Sequence, residues 1–80
     1  MEMPYEWEHD IDNNTTGANI HAVGECKSRI YLCLRRINLE KERGNKEKYD
    51  HYVRRMNKIL LDGYEKGFMS YKYTYKGELR

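Results

Sequence analysis

No stretch of this 80-residue chain approaches the ~20 apolar residues of a membrane-spanning helix. No basic region followed by an apolar run opens it, so no export signal is expected. The triplets Asn13-Asn14-Thr15 and Asn14-Thr15-Thr16 are therefore expected to carry no sugar, and a reducing, cytoplasmic setting without a membrane partner is expected. Cysteine is scarce too. Cys26 and Cys33 stand seven apart in a helical pattern. A rise of ~1.5 Å per residue separates their Cα atoms by ~10 Å, beyond the ~7 Å a disulfide tolerates. Buried free thiols are the expectation.

The motifs of common chemistries are missing as well. His9, His21 and His51 are scattered, and neither Cys-x-x-Cys nor His-x-x-x-His occurs, so no metal or other cofactor is expected. The six glycines, at 17, 24, 44, 63, 67 and 77, form neither a Gly-x-Gly-x-x-Gly nor a Walker loop. Ser28 and Ser70 lack a recognisable nucleophile context, and Cys33 falls on an apolar seam. The carboxylates of residues 6–12 are better explained as a solvated face than as a general acid–base set. No catalytic residue is expected, and the chain is read as a non-enzyme.

What is present is charge, tyrosine and periodicity. Charged residues make up 35% and apolar ones 39%, so the core of this single small domain must be lean. Residues 1–14 hold five acids and no Lys or Arg, for −5; the rest holds fifteen bases against eight acids, for +7. An acidic segment precedes a basic body.

In residues 4–12, PYEWEHDID, Tyr5, Trp7, His9 and Ile11 alternate with Glu6, Glu8, Asp10 and Asp12. Period two predicts a strand within residues 1–14, or failing that a disordered acidic arm over 1–14. NNTTG follows, with Thr15 or Thr16 suited to cap a helix. Val23, Cys26, Ile30, Cys33 and Ile37 then recur at spacings of 3 and 4, widened by Ala22 and Leu34, which predicts a helix. Gly24 marks either a start at Glu25 or a close contact. Ile30, Leu32 and Leu34 also alternate, but more weakly than the helical seam. Gly44-Asn45 reads as a helix stop followed by a helix start. Tyr49, Tyr52, Val53, Met56, Ile59, Leu60 and Tyr64 stripe the second helix, which ends near Gly63 or Gly67. A short turn between two such helices gives an antiparallel hairpin over 15–67.

In SYKYTYK, residues 70–76, Tyr71, Tyr73 and Tyr75 alternate with Lys72, Thr74 and Lys76, which predicts a second strand in a C-terminal segment 68–80. The hairpin brings its ends together, so the terminal strands should pair antiparallel. One register opposes Trp7 to Tyr75, His9 to Tyr73 and Ile11 to Tyr71, with Glu6 by Lys76 and Asp10 by Lys72, each pair worth roughly 0.2–1 kcal/mol. The expected fold is α+β, β-α-α-β, with a two-stranded sheet covering a helical hairpin.

Two features suggest contact surfaces. Eight tyrosines and one tryptophan are interface anchors, here Tyr5, Trp7, Tyr71, Tyr73 and Tyr75 beside an open sheet edge. Arg29, Arg36 and Arg43 are seven apart, with Arg35 adjacent; Arg54, Arg55 and Lys58 cluster on the second helix. Interleaved acids such as Glu25, Glu47, Asp50 and Asp62 could neutralise this basic face through i,i+4 pairs. The expected function is a small protein-binding domain, an inhibitor or adaptor acting on a host or regulatory protein. Its scale and its Tyr, Asn and Lys content are in the style of accessory proteins of phages and mobile elements. The second expectation is a nucleic-acid-binding regulator using the basic face. A homodimer is expected from the lean core and the open edges.

Overall fold

A computed structural model describes residues 6–76. Tyr5, the first of the expected aromatic anchors, lies outside the described residues, as does Gly77. The elements run α1 (Glu6–Asn13), α2 (Ile20–Arg43) and α3 (Lys46–Glu65). Residues 66–76 follow as turns, bends and irregular chain. Among the described residues there is no strand, so the expected α+β sheet is replaced by an all-helical fold.

The hairpin forms where the two periodic stripes place it. Val23, Cys26, Ile30, Cys33 and Ile37 of α2 are buried against Tyr49, Met56 and Leu60 of α3. Gly44 takes φ 70°, the left-handed conformation that glycine adopts without a Cβ penalty, and ends α2. Asn45 caps α3, its Oδ1 accepting from the Lys48 amide at 3.2 Å. Neither threonine caps α2: Thr15 Oγ1 donates to the Ile11 carbonyl at 2.7 Å, closing α1 instead. Gly24 lies inside α2, and a Cβ there would meet nothing within 4 Å. The glycine that permits close approach is Gly63, where a Cβ would fall 2.6 Å from Met69 Cε and 3.3 Å from Cys26 Sγ.

The N-terminal alternation folds as α1. Trp7 and Ile11 are both fully buried, whereas His9 between them is exposed. A separation of four residues is two steps of a strand's alternation and also about one helical turn, so those anchors satisfied both periods. The carboxylates settle the competition. Glu6 and Glu8 lie in the first helical turn, where the helix dipole favours negative charge. Glu8 and Asp12, one turn apart, both face Lys27 of α2, Asp12 at 2.8 Å and Glu8 at 3.9 Å.

Without a first strand, residues 70–76 have no backbone partner for a ladder, and side chains hold them instead. Asp10 of α1 accepts from the Ser70 amide at 2.9 Å, the Ser70 hydroxyl at 2.8 Å and the Tyr71 amide at 3.1 Å. Asn57 of α3 takes both main-chain groups of Tyr75. Its Oδ1 accepts from the Tyr75 amide at 2.7 Å and its Nδ2 donates to the Tyr75 carbonyl at 3.1 Å. The two ends of the chain do meet, through Asp10 rather than through the expected ring pairs. Trp7 meets the edge of Tyr31, centroids 5.2 Å apart, and not Tyr75.

The result is lopsided. At 100° per residue, Lys27, Tyr31 and Leu34 lie on one flank of the α2 seam, and Ala22, Arg29 and Arg36 on the other. On α3, Val53 and Asn57 oppose Arg55, Ile59 and Asp62 in the same way. α1 docks beside Lys27 and Tyr31, and the C-terminal segment beside Asn57. Both therefore cover one face of the hairpin. The other face carries no further element among the described residues.

Candidate functional site

The open face is a groove between α2 and α3. Two adjoining cavities mark it, of about 550 Å³ and about 370 Å³, sharing Arg29, Arg55 and Ile59. Arg29 and Arg36 rise from the α2 wall, Arg55 and Lys58 from the α3 wall, and Lys66 from the C-cap of α3. Cys26, Cys33, Ile59 and Phe68 contribute apolar lining. Glu25 and Asp62 join at the end nearest Phe68.

Four residues read from the sequence as a basic surface, Arg29, Arg36, Arg55 and Lys58, thus converge on one feature. The others do not. Arg35 and Arg54 are exposed on the outer sides of their helices, and Arg43 sits beyond the groove, 3.8 Å from Glu40. The i,i+4 neutralisation expected of the interleaved acids is partial. Lys46 pairs with Asp50 at 2.9 Å and Lys66 with Asp62 at 3.0 Å. Among the described residues, no carboxylate lies within ion-pairing distance of Arg29, Arg36, Arg55 or Lys58.

The aromatic surface is dispersed. Trp7 is wholly buried, and Tyr73 and Tyr75 are half-buried. Among the described anchors Tyr71 alone is well exposed, at 67%, with its ring 5.4 Å from that of Tyr73. With no strand among the described residues, the edge these rings were to flank does not form there. The motive it gave for pairing with a second copy goes with it.

The thiols are poorly suited to attack. Burial pushes both Cys26 and Cys33 above the ordinary thiol value, against the smaller opposing pull of Arg55 on Cys33. His51 lines the same cavity as Cys33 but is engaged edge-on with Tyr52, centroids 5.2 Å apart. Further titration shifts sit where the C-terminal segment is tied. Partial burial pushes Asp10 up, but hydrogen bonds from Ser70, Tyr73 and Tyr71 outweigh it and hold the carboxyl below its ordinary value. Burial, then the Asp10 charge, pushes Tyr73 up to about 12.

Sequence reasoning missed the groove as a groove. Arg55, Lys58, Asp62 and Lys66 recur at spacings of 3 and 4, which marks a single helical flank. That signal was available. Nothing in the sequence singled out Asp10 from its neighbouring acids, or Asn57 from any other helical asparagine, as anchors.

Among the described residues, no helix is long and apolar enough to cross a membrane, and no three His, Cys, Asp or Glu side chains gather as metal ligands. No family model matches the chain, and neither a curated protein nor a solved structure was found to be similar to it.

Proposed function

We propose that this chain is a non-enzymatic binding domain, working as an inhibitor or adaptor, whose contact surface is the open α2–α3 face and whose partner is a protein presenting carboxylates. The observation that carries this is the contrast between the two flanks. Lys27, beneath α1, has two acids; Arg29, Arg36, Arg55 and Lys58, on the open side, have none among the described residues. Four neighbouring cations repel one another in the free protein, and a complementary surface relieves that repulsion. Two buried, unactivated thiols on the groove floor fit a reducing cytoplasm and a surface that binds rather than reacts.

Glu25 and Asp62 favour a protein over a nucleic acid. A phosphodiester chain is uniformly negative and is repelled where those acids stand, whereas a protein can meet them with bases. Self-association through this face is disfavoured, because a two-fold copy would set like cations against each other.

The test is site-specific photo-cross-linking in the native cell, with a benzophenone side chain at Leu32, on the groove, and at Glu65, on the outer side of α3. A discrete, protease-sensitive adduct at position 32 that disappears with Arg29→Glu/Arg55→Glu is expected. Adducts of equal yield at both positions, or a nuclease-sensitive adduct at position 32, would overturn the proposal.

A further inference from the structure

The groove's dimensions and chemistry say more about what fits it. On α2 it runs from Ala22 to Arg36, and along α3 and its C-cap from His51 to Lys66. Those spans of fourteen and fifteen steps are about 21–23 Å long at the helical rise, room for a helix of about four turns. Both walls are α-helices, whose interior backbone groups are already bonded within themselves. An extended peptide laid in the groove would find no backbone partners and would leave its own N–H and C=O groups unpaired over an apolar floor. A helix satisfies its own. The walls also differ in charge spacing. Arg29 and Arg36 are two turns apart, and Arg55 and Lys58 less than one. Carboxylates at i and i+7 on one side of a docked helix, with a second set near the other side, match both walls.

We infer that the occupant is an amphipathic α-helix of about fourteen residues from a partner protein, apolar on the face that meets Cys26, Cys33 and Ile59 and acidic along both flanks. A basic residue belongs at the end that meets Glu25. Docking adds a third helix to the open side of the hairpin, the helix-in-groove mode of recognition. The inference rests on the proposal above that the open face takes an acidic protein.

The experiment uses the full chain, 15N-labelled, observed by heteronuclear NMR. Four probes are titrated: a 14-residue L-peptide with a leucine stripe and glutamates on both flanks; an alternating D,L-peptide of the same composition, which cannot form a regular α-helix; the L-peptide with lysine for glutamate; and a 14-nucleotide single-stranded DNA. The glutamate L-peptide is expected to shift amides within 22–36 and 51–66 and to bind at least about tenfold more tightly than the other three. The Arg29→Glu/Arg55→Glu variant should lose about tenfold or more for that peptide and gain affinity for the lysine peptide. That gain cannot come from misfolding. Equal binding of the two glutamate peptides would overturn the helix and leave an acidic protein partner standing. Binding of the DNA alone, or of none of the probes, would overturn both.

Discussion

The carboxylate of Asp10 joins the first helix to the last described segment, and removing its charge is a stringent test of how that segment is held. Asp10→Asn keeps the shape and one acceptor oxygen. Placed where Oδ2 lies, that oxygen retains the amides of Ser70 and Tyr71, at 2.9 and 3.1 Å in the parent. The new amide nitrogen then stands where Oδ1 accepts from Asn14 Nδ2 at 2.9 Å, and two donors confront each other. Hydrogen bonds to a charged group are each worth ~1.5–3 kcal/mol, against ~0.5–1.5 for neutral ones, and Asp10 is only partly buried, so solvent screens part of the difference. The expected loss is ~1–2 kcal/mol at pH 7, or several degrees of Tm in a domain of this size. The pH dependence follows from the lowered carboxyl pKa. The folded value lies below the ordinary 3.8, so the stabilisation is complete above that value and disappears as pH falls through the folded one. Urea titrations from pH 7 down to about 2 should therefore show the parent and the variant converging at the acid end. Amide exchange at Ser70 and Tyr71 should accelerate in the variant. Unchanged Tm and unchanged exchange at those amides would refute the assignment of Asp10 as the clasp.

Gly24→Ala is expected to stabilise by roughly 0.5–1 kcal/mol, because the helix gains propensity and a Cβ there meets nothing within 4 Å; a lower Tm on thermal denaturation would show that Gly24 has a packing role after all. Glu40 is 2% exposed, with one carboxylate oxygen lacking a partner among the described residues and the other 3.8 Å from Arg43. Glu40→Met should raise stability by about 1 kcal/mol or more in urea titration, since replacing a poorly compensated buried charge by an apolar side chain of similar volume removes a desolvation cost.

The hairpin was legible because its signals agreed at every level. Five seam residues at spacings of 3 and 4, a glycine for a left-handed stop and an asparagine for the next cap all specify the same two helices. The ends of the chain were misread for one physical reason. In a segment of nine residues, two buried anchors separated by four fit both an alternating strand and one face of a helix. His9 held the discriminating information, since a strand would bury it and a helix exposes it, but histidine is compatible with either environment. Once residues 4–12 were taken for a strand, the tyrosines at 71, 73 and 75 acquired a backbone ladder that does not form among the described residues. Their alternating spacing predicts a strand, and residues 72–76 carry no regular secondary structure. The spacing carries no information about whether a backbone or a side chain, such as that of Asn57, supplies the bonding partner.

Charge followed a different logic. Along the sequence, acids and bases interleave closely enough to suggest mutual neutralisation. The helices sort them by flank. Lys27 falls on the side where α1 delivers Glu8 and Asp12, and Arg29, only two residues on, falls on the other. Glu8 and Asp12 therefore neutralise the covered face, and among the described residues no carboxylate pairs with the arginines of the open one. A domain this small gains stability from every apolar contact it can bury. Yet four repelling cations line the face where a further helix of its own would have added such contacts. In the proposed reading those cations disfavour closure by a second copy and favour an anionic ligand. Under the binding function proposed above, that cluster trades stability of the isolated domain for selectivity towards an acidic partner.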